Sequence, residues 1–373
     1  MKIIHVSSAL SWRGGEQQIA YLLVELAKRD IPQIVFCPKG SPLHSFCEKN
    51  SIPVKTYRKR AGFDFLIAIQ LTLLCRKAVR PIIHAHDSHS HTAAFLSVAF
   101  FMNKAPIVLH RRVSFPSKKS LLSDIKYNHS AITHIICVSD HARAQVNSRL
   151  LKTNKTVTIH DGIDLSKFTE KKAGNILRNT YNLQSTHTLI GNISALTAEK
   201  DFFTFVDTAL LLLSKYPDFR FFIIGDGPQK QIIEAFIKEK GIQHKVIMTG
   251  FLDNIPDILP ELDMFLFTSA NEGLGTTLLD AFACKIPVVS TNAGGIPEIV
   301  KNNLTGLLAG VKQPLELAAA VEKILNDNEL KSRLVENAFA AVQDFSAEIM
   351  ADKTIEVYKE SLLKSYDNQP KGI

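Results

Sequence analysis

The chain of 373 residues is long for one core and, at 46% hydrophobic and 21% charged residues, has the composition of an ordinary globular protein of two domains. Disordered and fibrous classes are excluded, and five scattered cysteines (Cys37, Cys47, Cys75, Cys137, Cys284) without a C-x-x-C pair give no sign of a disulfide framework or a cysteine zinc site. The net charge of +8 is uneven: residues 1–165 hold 23 Lys and Arg against 10 Asp and Glu, the remaining 208 hold 21 against 26.

Met1 to Val6 passes directly into an apolar strand and lacks the layout of a signal peptide, so a reducing, cytoplasmic setting is expected. Short Ile, Val and Phe runs predict strands at Ile3 to Ser7, Ile34 to Cys37, Ile82 to Ala85, Ile107 to His110, Ile135 to Val138 and Val157 to Ile159, with helices such as Glu16 to Lys28 and His141 to Leu151 between them. The apolar stretches Phe65 to Cys75 and Ala93 to Met102 have about half the roughly 20 residues of a membrane-spanning helix. Phe100-Phe101-Met102 reads as core packing, and no interleaving of basic and aromatic residues suggests a nucleic-acid surface. Arg58-Lys59-Arg60 before the first stretch, and Arg76, Lys77 and Arg80 after it, fit contact with an anionic membrane surface; a solvated basic face is the plain alternative.

Around Asp161-Gly162-Ile163-Asp164 and Lys167 to Asn175 the pattern breaks, then starts again, with strands at Leu189 to Ile193, Phe221 to Ile224, Val246 to Met248, Met264 to Phe267 and Pro287 to Ser290 and helices at Phe202 to Lys215 and Gln229 to Lys240. Beyond Gln313 the period is helical. Two α/β domains follow, 1–165 and 166–349, each a doubly wound parallel sheet, with a helix over about 350–366 packing back on the first. Such domains facing across a cleft place ligands at the carboxyl ends of their strands.

One strand-to-helix turn carries chemistry that a core would not choose. In Asn271 to Ala281, Gly273 and Gly275 free the backbone for close approach, the amides opening the helix suit a diphosphate, and Glu272 and Asp280 can take different hydroxyl sets of one elongated ligand. Alone, a Gly-rich turn is common in α/β proteins; here a second, Thr291 to Glu298, follows at once. Gly14-Gly15 open a helix in the same way, with Glu16 a plain helix cap as the alternative. His84, His86, His89 and His91 invite a zinc reading, but alternate residues at a strand end do not assure convergence, and polar lining of a cleft is more economical. Arg111-Arg112 after His110 suggest an anionic acceptor group, or anchoring by a nearby carboxylate.

Glu272 to Val300 resembles the nucleotide-sugar signature of the retaining glycosyltransferases of family 4, which have the GT-B fold of two Rossmann-like domains. Further landmarks recur at Trp12 to Glu16, Val138-Ser139, Asp161 to Asp164, Lys200-Asp201 and Ile223 to Pro228. The resemblance implies a nucleotide-sugar donor, with Glu272 on the sugar hydroxyls, Asp280 on the ribose and Lys200 on the diphosphate. It further implies that Gly14, Gly15, Gly273, Leu274, Gly275 and Thr276 line the donor and that His110 reaches the transferred sugar, with no metal and no cofactor. This sequence departs from the pattern at Ala195, often Arg, at Asp280, more often Glu, and at Arg111, commonly Asp. Retention needs no protein base if the departing phosphate oxygen takes the acceptor proton. The expected acceptor is a glycan or lipid-linked molecule of cell-envelope polysaccharide or lipopolysaccharide synthesis. A non-catalytic sugar-nucleotide-binding protein is the alternative. A dehydrogenase is disfavoured, since no G-x-G-x-x-G follows the first strand.

Overall fold

The computed structural model describes residues 1–59, 65–112, 121–168 and 174–367. Arg60, the segment Val113 to Pro116, Thr169 to Ala173 of the expected inter-domain stretch and the tail after Asp367 lie outside the described residues. The chain forms two compact units, Met1–Gly162 with Ala347–Ile373, and Ile163–Ser346.

The first unit alternates β1 (Lys2–Val6), α1 (Gly14–Lys28), β2 (Gln33–Pro38), α2 (Pro42–Lys49), β3 (Val54–Tyr57), α3 (Phe65–Arg76), β4 (Pro81–Ala85), α4 (Ser88–Phe100), β5 (Ile107–Arg111), α5 (Leu121–Asn128), β6 (Ile132–Cys137), α6 (Asp140–Asn147) and β7 (Thr156–Thr158). Every pairing is parallel and the strand order is β3-β2-β1-β4-β5-β6-β7. Parallel strands are covered on both faces, which is why they read as unbroken apolar runs.

The second unit repeats the plan with α7 (Ile176–Thr180), β8 (Thr188–Ile193), α8 (Phe202–Leu213), β9 (Phe219–Ile224), α9 (Lys230–Glu239), β10 (Val246–Gly250), α10 (Ile255–Ile258), β11 (Met264–Phe267), α11 (Thr276–Ala283), β12 (Val288–Thr291), α12 (Ile296–Ile299), β13 (Leu307–Ala309), α13 (Pro314–Asn326) and α14 (Asn328–Ala341). Its order is β10-β9-β8-β11-β12-β13, again all parallel. The core packs Ile190, Phe221, Met264 and Leu266 against Phe205 of α8 and Val321 of α13. Removing the Phe205 ring would cost about 3–5 kcal/mol.

The last helix, α15 (Ala347–Asp367), belongs to the first unit, where Met350 and Tyr358 join Leu22 and Leu26 of α1 over Ile3, Ile82, Val108 and Ile136. The structure adds the edge strands β3 and β13 to those the sequence predicts. In both sheets the strand order reverses beside the unit's first strand, between β1 and β4 and between β8 and β11, and such switch points open a crevice at the strands' carboxyl ends.

Candidate functional site

In the second unit the switch point gathers an acid, a base and a hydroxyl. After β8 the chain makes a short turn, Ala198–Lys200, and Asp201, at φ 47°, caps α8 through its carboxylate, which accepts from Thr204 N at 3.4 Å and Thr204 Oγ1 at 2.7 Å. With Asp201 committed to the cap, Lys200 is turned toward the loop after β11, where its Nζ forms an ion pair with Glu272 Oε2. Ser269 Oγ donates to the same oxygen at 3.2 Å. The two charged side chains are 16% and 14% exposed, so the pair is shielded but open at one side. The Glu199 carbonyl accepts from Ala270 N at 2.7 Å, and Thr268 Oγ1 donates to the Asp201 carbonyl at 3.1 Å, tying the two loops together.

The glycines around this pair serve backbone approach. A Cβ on Gly294, at φ 55°, would overlap the Glu272 carbonyl oxygen, which instead accepts from Gly295 N at 3.0 Å. The second Gly-rich turn is thus a seat for the Glu272 loop. Gly225 and Gly227 do the same for Ser194 to Leu196, with Leu196 N donating to the Asp226 carbonyl at 3.0 Å. Gly275, at φ 91°, starts α11 without a side-chain cap. Leu274 is buried, whereas Thr276 is partly exposed. One turn along α11, Asp280 is partly buried, and desolvation, opposed by the Lys167 charge, pushes its carboxyl up to about 7.

The switch point of the first unit holds imidazoles. His5 on β1 pairs in register with His84 on β4, and His86 and His110 continue the same face of the sheet. All four are buried. Arg112 donates to His110 Nδ1 at 3.1 Å, to His86 Nδ1 at 3.4 Å and, through Nε, to Asp161 Oδ1 at 3.3 Å. A guanidinium can only donate. Both Nδ1 atoms are therefore acceptors, so the ring protons of His86 and His110 sit on Nε2, and His86 Nε2 donates to His5 Nδ1 at 3.0 Å. His84 Nδ1 meets Tyr358 Oη at 2.6 Å. Burial is the first cause holding all four imidazoles neutral: His5 is lowered to about 3, and His84, His86 and His110 fall well below their usual value, with Arg112 adding to each.

His5, His84 and His86 bring nitrogens within 4.8 Å of one another, a spacing that could hold a metal ion. Two features of the donor set work against one. The His86 Nε2 proton occupies the His5 Nδ1 lone pair, and the Arg112 charge beside them opposes a cation.

Residues 12–167 match the sequence model for Glycosyltransferase Family 4, and residues 175–341 match that for Glycosyl transferases group 1. The chain belongs to the family 4 glycosyltransferases. It is 26% identical to N-acetyl-alpha-D-glucosaminyl L-malate synthase of Bacillus anthracis over 307 residues, 80% of each chain. Identity to alpha-D-kanosaminyltransferase of Streptomyces kanamyceticus is 24% over 307 residues, 76% of this chain and 78% of that one. The Anabaena protein HepE, solved with UDP and glucose, superposes with a TM-score of 0.84 at 20% identity over 96% of this chain and 100% of its own, a likeness that gives the GT-B fold.

In this glycosyltransferase the expected site residues divide between the units. Lys200, Glu272 and the Gly273–Thr276 loop are brought together, with Asp280 one turn along the helix that the loop opens. Gly14 and Gly15 open α1, and Gly15 lies against the Arg112 side chain, so the glycine loop borders the imidazole cluster. Glu16 Oε2 accepts from Arg13 N at 2.9 Å, the capping role. Arg111 and Arg112 separate: strand alternation sends Arg111 to the face opposite His110, and Arg112 is anchored by Asp161. His84, His86 and His91 are buried, and His89 alone of that run is exposed. Phe100 and Met102, expected in the core, are 63% and 78% exposed. Sequence reasoning passed over His5, Asp161 as a side-chain partner, Ser269 and Tyr358. For His5 a signal exists, since Ile3-Ile4-His5 and Ile82-Ile83-His84 repeat one pattern in strands that pair.

Proposed function

We propose that the protein is a retaining, metal-independent hexosyltransferase that takes its sugar from a nucleoside diphosphate sugar and passes it to a glycan or lipid-linked acceptor in cell-envelope polysaccharide or lipopolysaccharide synthesis. The observation that carries this reading is the Lys200–Glu272–Ser269 group at the β8/β11 switch point. A cation already held against a carboxylate can transfer to an incoming diphosphate and stabilise its charge as the glycosidic bond stretches, which frees Glu272 for sugar hydroxyls. Asp280 would hold the ribose diol. His110, with its proton fixed on Nε2, would donate to the transferred sugar and could not act as a base through that atom. The departing phosphate oxygen then takes the acceptor proton, which suits a site whose imidazoles are neutral. A cytoplasmic protein resting on the inner membrane face agrees with the basic first unit, and among the described residues no helix is long and apolar enough to cross a membrane.

The likeness to a protein solved with UDP and glucose supports trying uridine nucleotides first. The test is a thermal-shift panel of uridine, guanosine and adenosine diphosphates and their sugar conjugates, on wild type and Asp280→Ala. Selective ligand binding to the native state adds about 2.7 kcal/mol at a hundredfold excess over Kd. One base should raise the wild-type midpoint and lose its effect in the variant. A flat panel would remove the donor site.

A further inference from the structure

The first unit carries an apolar face that the catalytic reading leaves unused. Helix α3 is apolar on both sides: Ala68, Leu71 and Cys75 are buried, while Phe65, Leu66, Ile69 and Leu73 are 46, 49, 36 and 50% exposed. A helix apolar all round belongs in a core or in lipid, and this one is only half covered. The face extends onto the end of α4, where the Phe65 and Phe100 rings meet edge-on at 5.9 Å. Beyond it Met102 projects outward from a residue at φ 53°. Single exposed apolar side chains are ordinary, but a contiguous set of six marks an interaction surface.

Charge identifies the partner. Between Phe65 and Pro106 the chain has four Lys and Arg, Arg76, Lys77, Arg80 and Lys104, against one acid, Asp87, and that acid is committed to capping α4 and to Ser8. At the border of the apolar face a cavity of about 440 Å³ is lined by Arg76, Arg80 and Lys104 together with Met102 and Leu362. Its wall is fixed by buried Asn103, whose Nδ2 donates to Ser97 Oγ at 3.1 Å and Cys75 Sγ at 3.3 Å. The cationic run expected from the sequence contributes less, because Lys59 Nζ is bound to the Ser8 carbonyl at 2.6 Å. A second copy of the chain would bring two positive rims together and be repelled.

We propose that this face seats the protein on an anionic phospholipid leaflet, with α3 and the end of α4 entering the headgroup boundary and the cavity taking a lipid phosphate between Arg76, Arg80 and Lys104. The inference deepens the lipid-linked acceptor reading and is independent of the donor site. It is tested by co-sedimenting the full chain, without nucleotide, with phosphatidylcholine vesicles and with vesicles containing phosphatidylglycerol. Wild type should pellet with the anionic vesicles, several-fold less with the neutral ones, and less as salt rises. The triple change Arg76→Glu, Arg80→Glu, Lys104→Glu should weaken anionic binding about tenfold or more. Ile69→Ser with Leu73→Ser should weaken it at constant salt, and circular dichroism should show both variants folded. Wild type remaining in the supernatant overturns the proposal, as does undiminished binding by the charge-reversed protein. A dimer in sedimentation that the serine pair dissolves, without vesicle binding, gives the face to a second copy and equally overturns it. A nucleotide response retained or lost in the thermal-shift panel leaves this outcome unchanged.

Discussion

The two units share a strand order around their switch points and put their polar chemistry at the same place, yet they fill it with opposite materials. In the second unit the crevice holds full charges, Lys200 and Glu272, each partly open to solvent and bound to one another. In the first it holds four buried neutral imidazoles organised by one guanidinium, itself tied to Asp161. A charged pair at a surface can exchange partners when an anion arrives. A buried neutral network cannot, and its value lies in fixing which nitrogen carries a proton. One scaffold therefore supplies an exchangeable charge site in one unit and a rigid donor array in the other.

The comparison breaks most visibly if the exchangeable pair is dispensable. Lys200→Ala should lower sugar transfer about 10²–10³-fold, the usual effect of removing a charge-stabilising donor, while its thermal midpoint moves by only about a few degrees. Transfer within threefold of wild type, measured with the donor found in the nucleotide panel, would show that Glu272 needs no cation.

Next in size is the backbone seat of that pair. Gly294→Ala introduces a Cβ onto the Glu272 carbonyl at a left-handed φ, and urea unfolding should register about 2–4 kcal/mol of lost stability. Gly241, also at positive φ but with no atom within 4 Å of where a Cβ would stand, is the control, and Gly241→Ala should cost only about 1 kcal/mol. Equal costs at the two positions would mean that the Glu272 loop is not seated on the second Gly-rich turn.

Asp280 sharpens the contrast, being a carboxyl that the charged unit holds near neutrality. Its folded value of about 7 lies above the ordinary 3.8, so ionising it costs the folded state. The cost is absent below the unfolded value, grows as pH rises between the two and is complete above 7. Asp280→Asn should raise the unfolding free energy at pH 8 by about 2 kcal/mol, discounting for partial exposure, with the gain vanishing toward pH 4. Nucleotide affinity of the wild type should rise between pH 6 and 8, since a ribose diol binds the carboxylate. A variant no more stable than wild type at pH 8 would place Asp280 in ordinary solvent.

Much of the fold was legible in the sequence because parallel strands announce themselves as apolar runs, and the Asn271–Ala281 turn stood out because its two glycines and two carboxylates have few structural reasons to be there. The edge strands Val54–Tyr57 and Leu307–Ala309 were not, since Lys55 and Thr56 interrupt the apolar residues of the first and Gly306 and Gly310 bracket the second so that it reads as a turn. Phe100 and Met102 misled because composition marks a residue as apolar without saying whether anything covers it. The Gly294 requirement is invisible in one dimension, where a glycine facing a ligand and one facing Glu272 look alike. Arg112 is the clearest case: adjacent to Arg111 in sequence, it serves a different face, and its partners Asp161 and His86 are 49 and 26 positions away.

That network yields the smallest effect and the most specific readout. Arg112→Lys keeps a positive charge opposite Asp161 but replaces a planar fork by one ammonium, which cannot donate to both imidazoles and the carboxylate in the same geometry. Stability should fall by only about 1 kcal/mol. Long-range ¹H–¹⁵N correlation of histidine side chains reads the protons directly. Wild-type His86 and His110 should both carry the proton on Nε2 and show no titration between pH 6 and 8, because burial first and then neighbouring positive charge keep them neutral. In the variant at least one ring should populate the Nδ1–H form. If wild-type His110 instead carries its proton on Nδ1, the guanidinium is not its donor, and the first unit loses the rigidity that sets it apart from the exchangeable pair in the second.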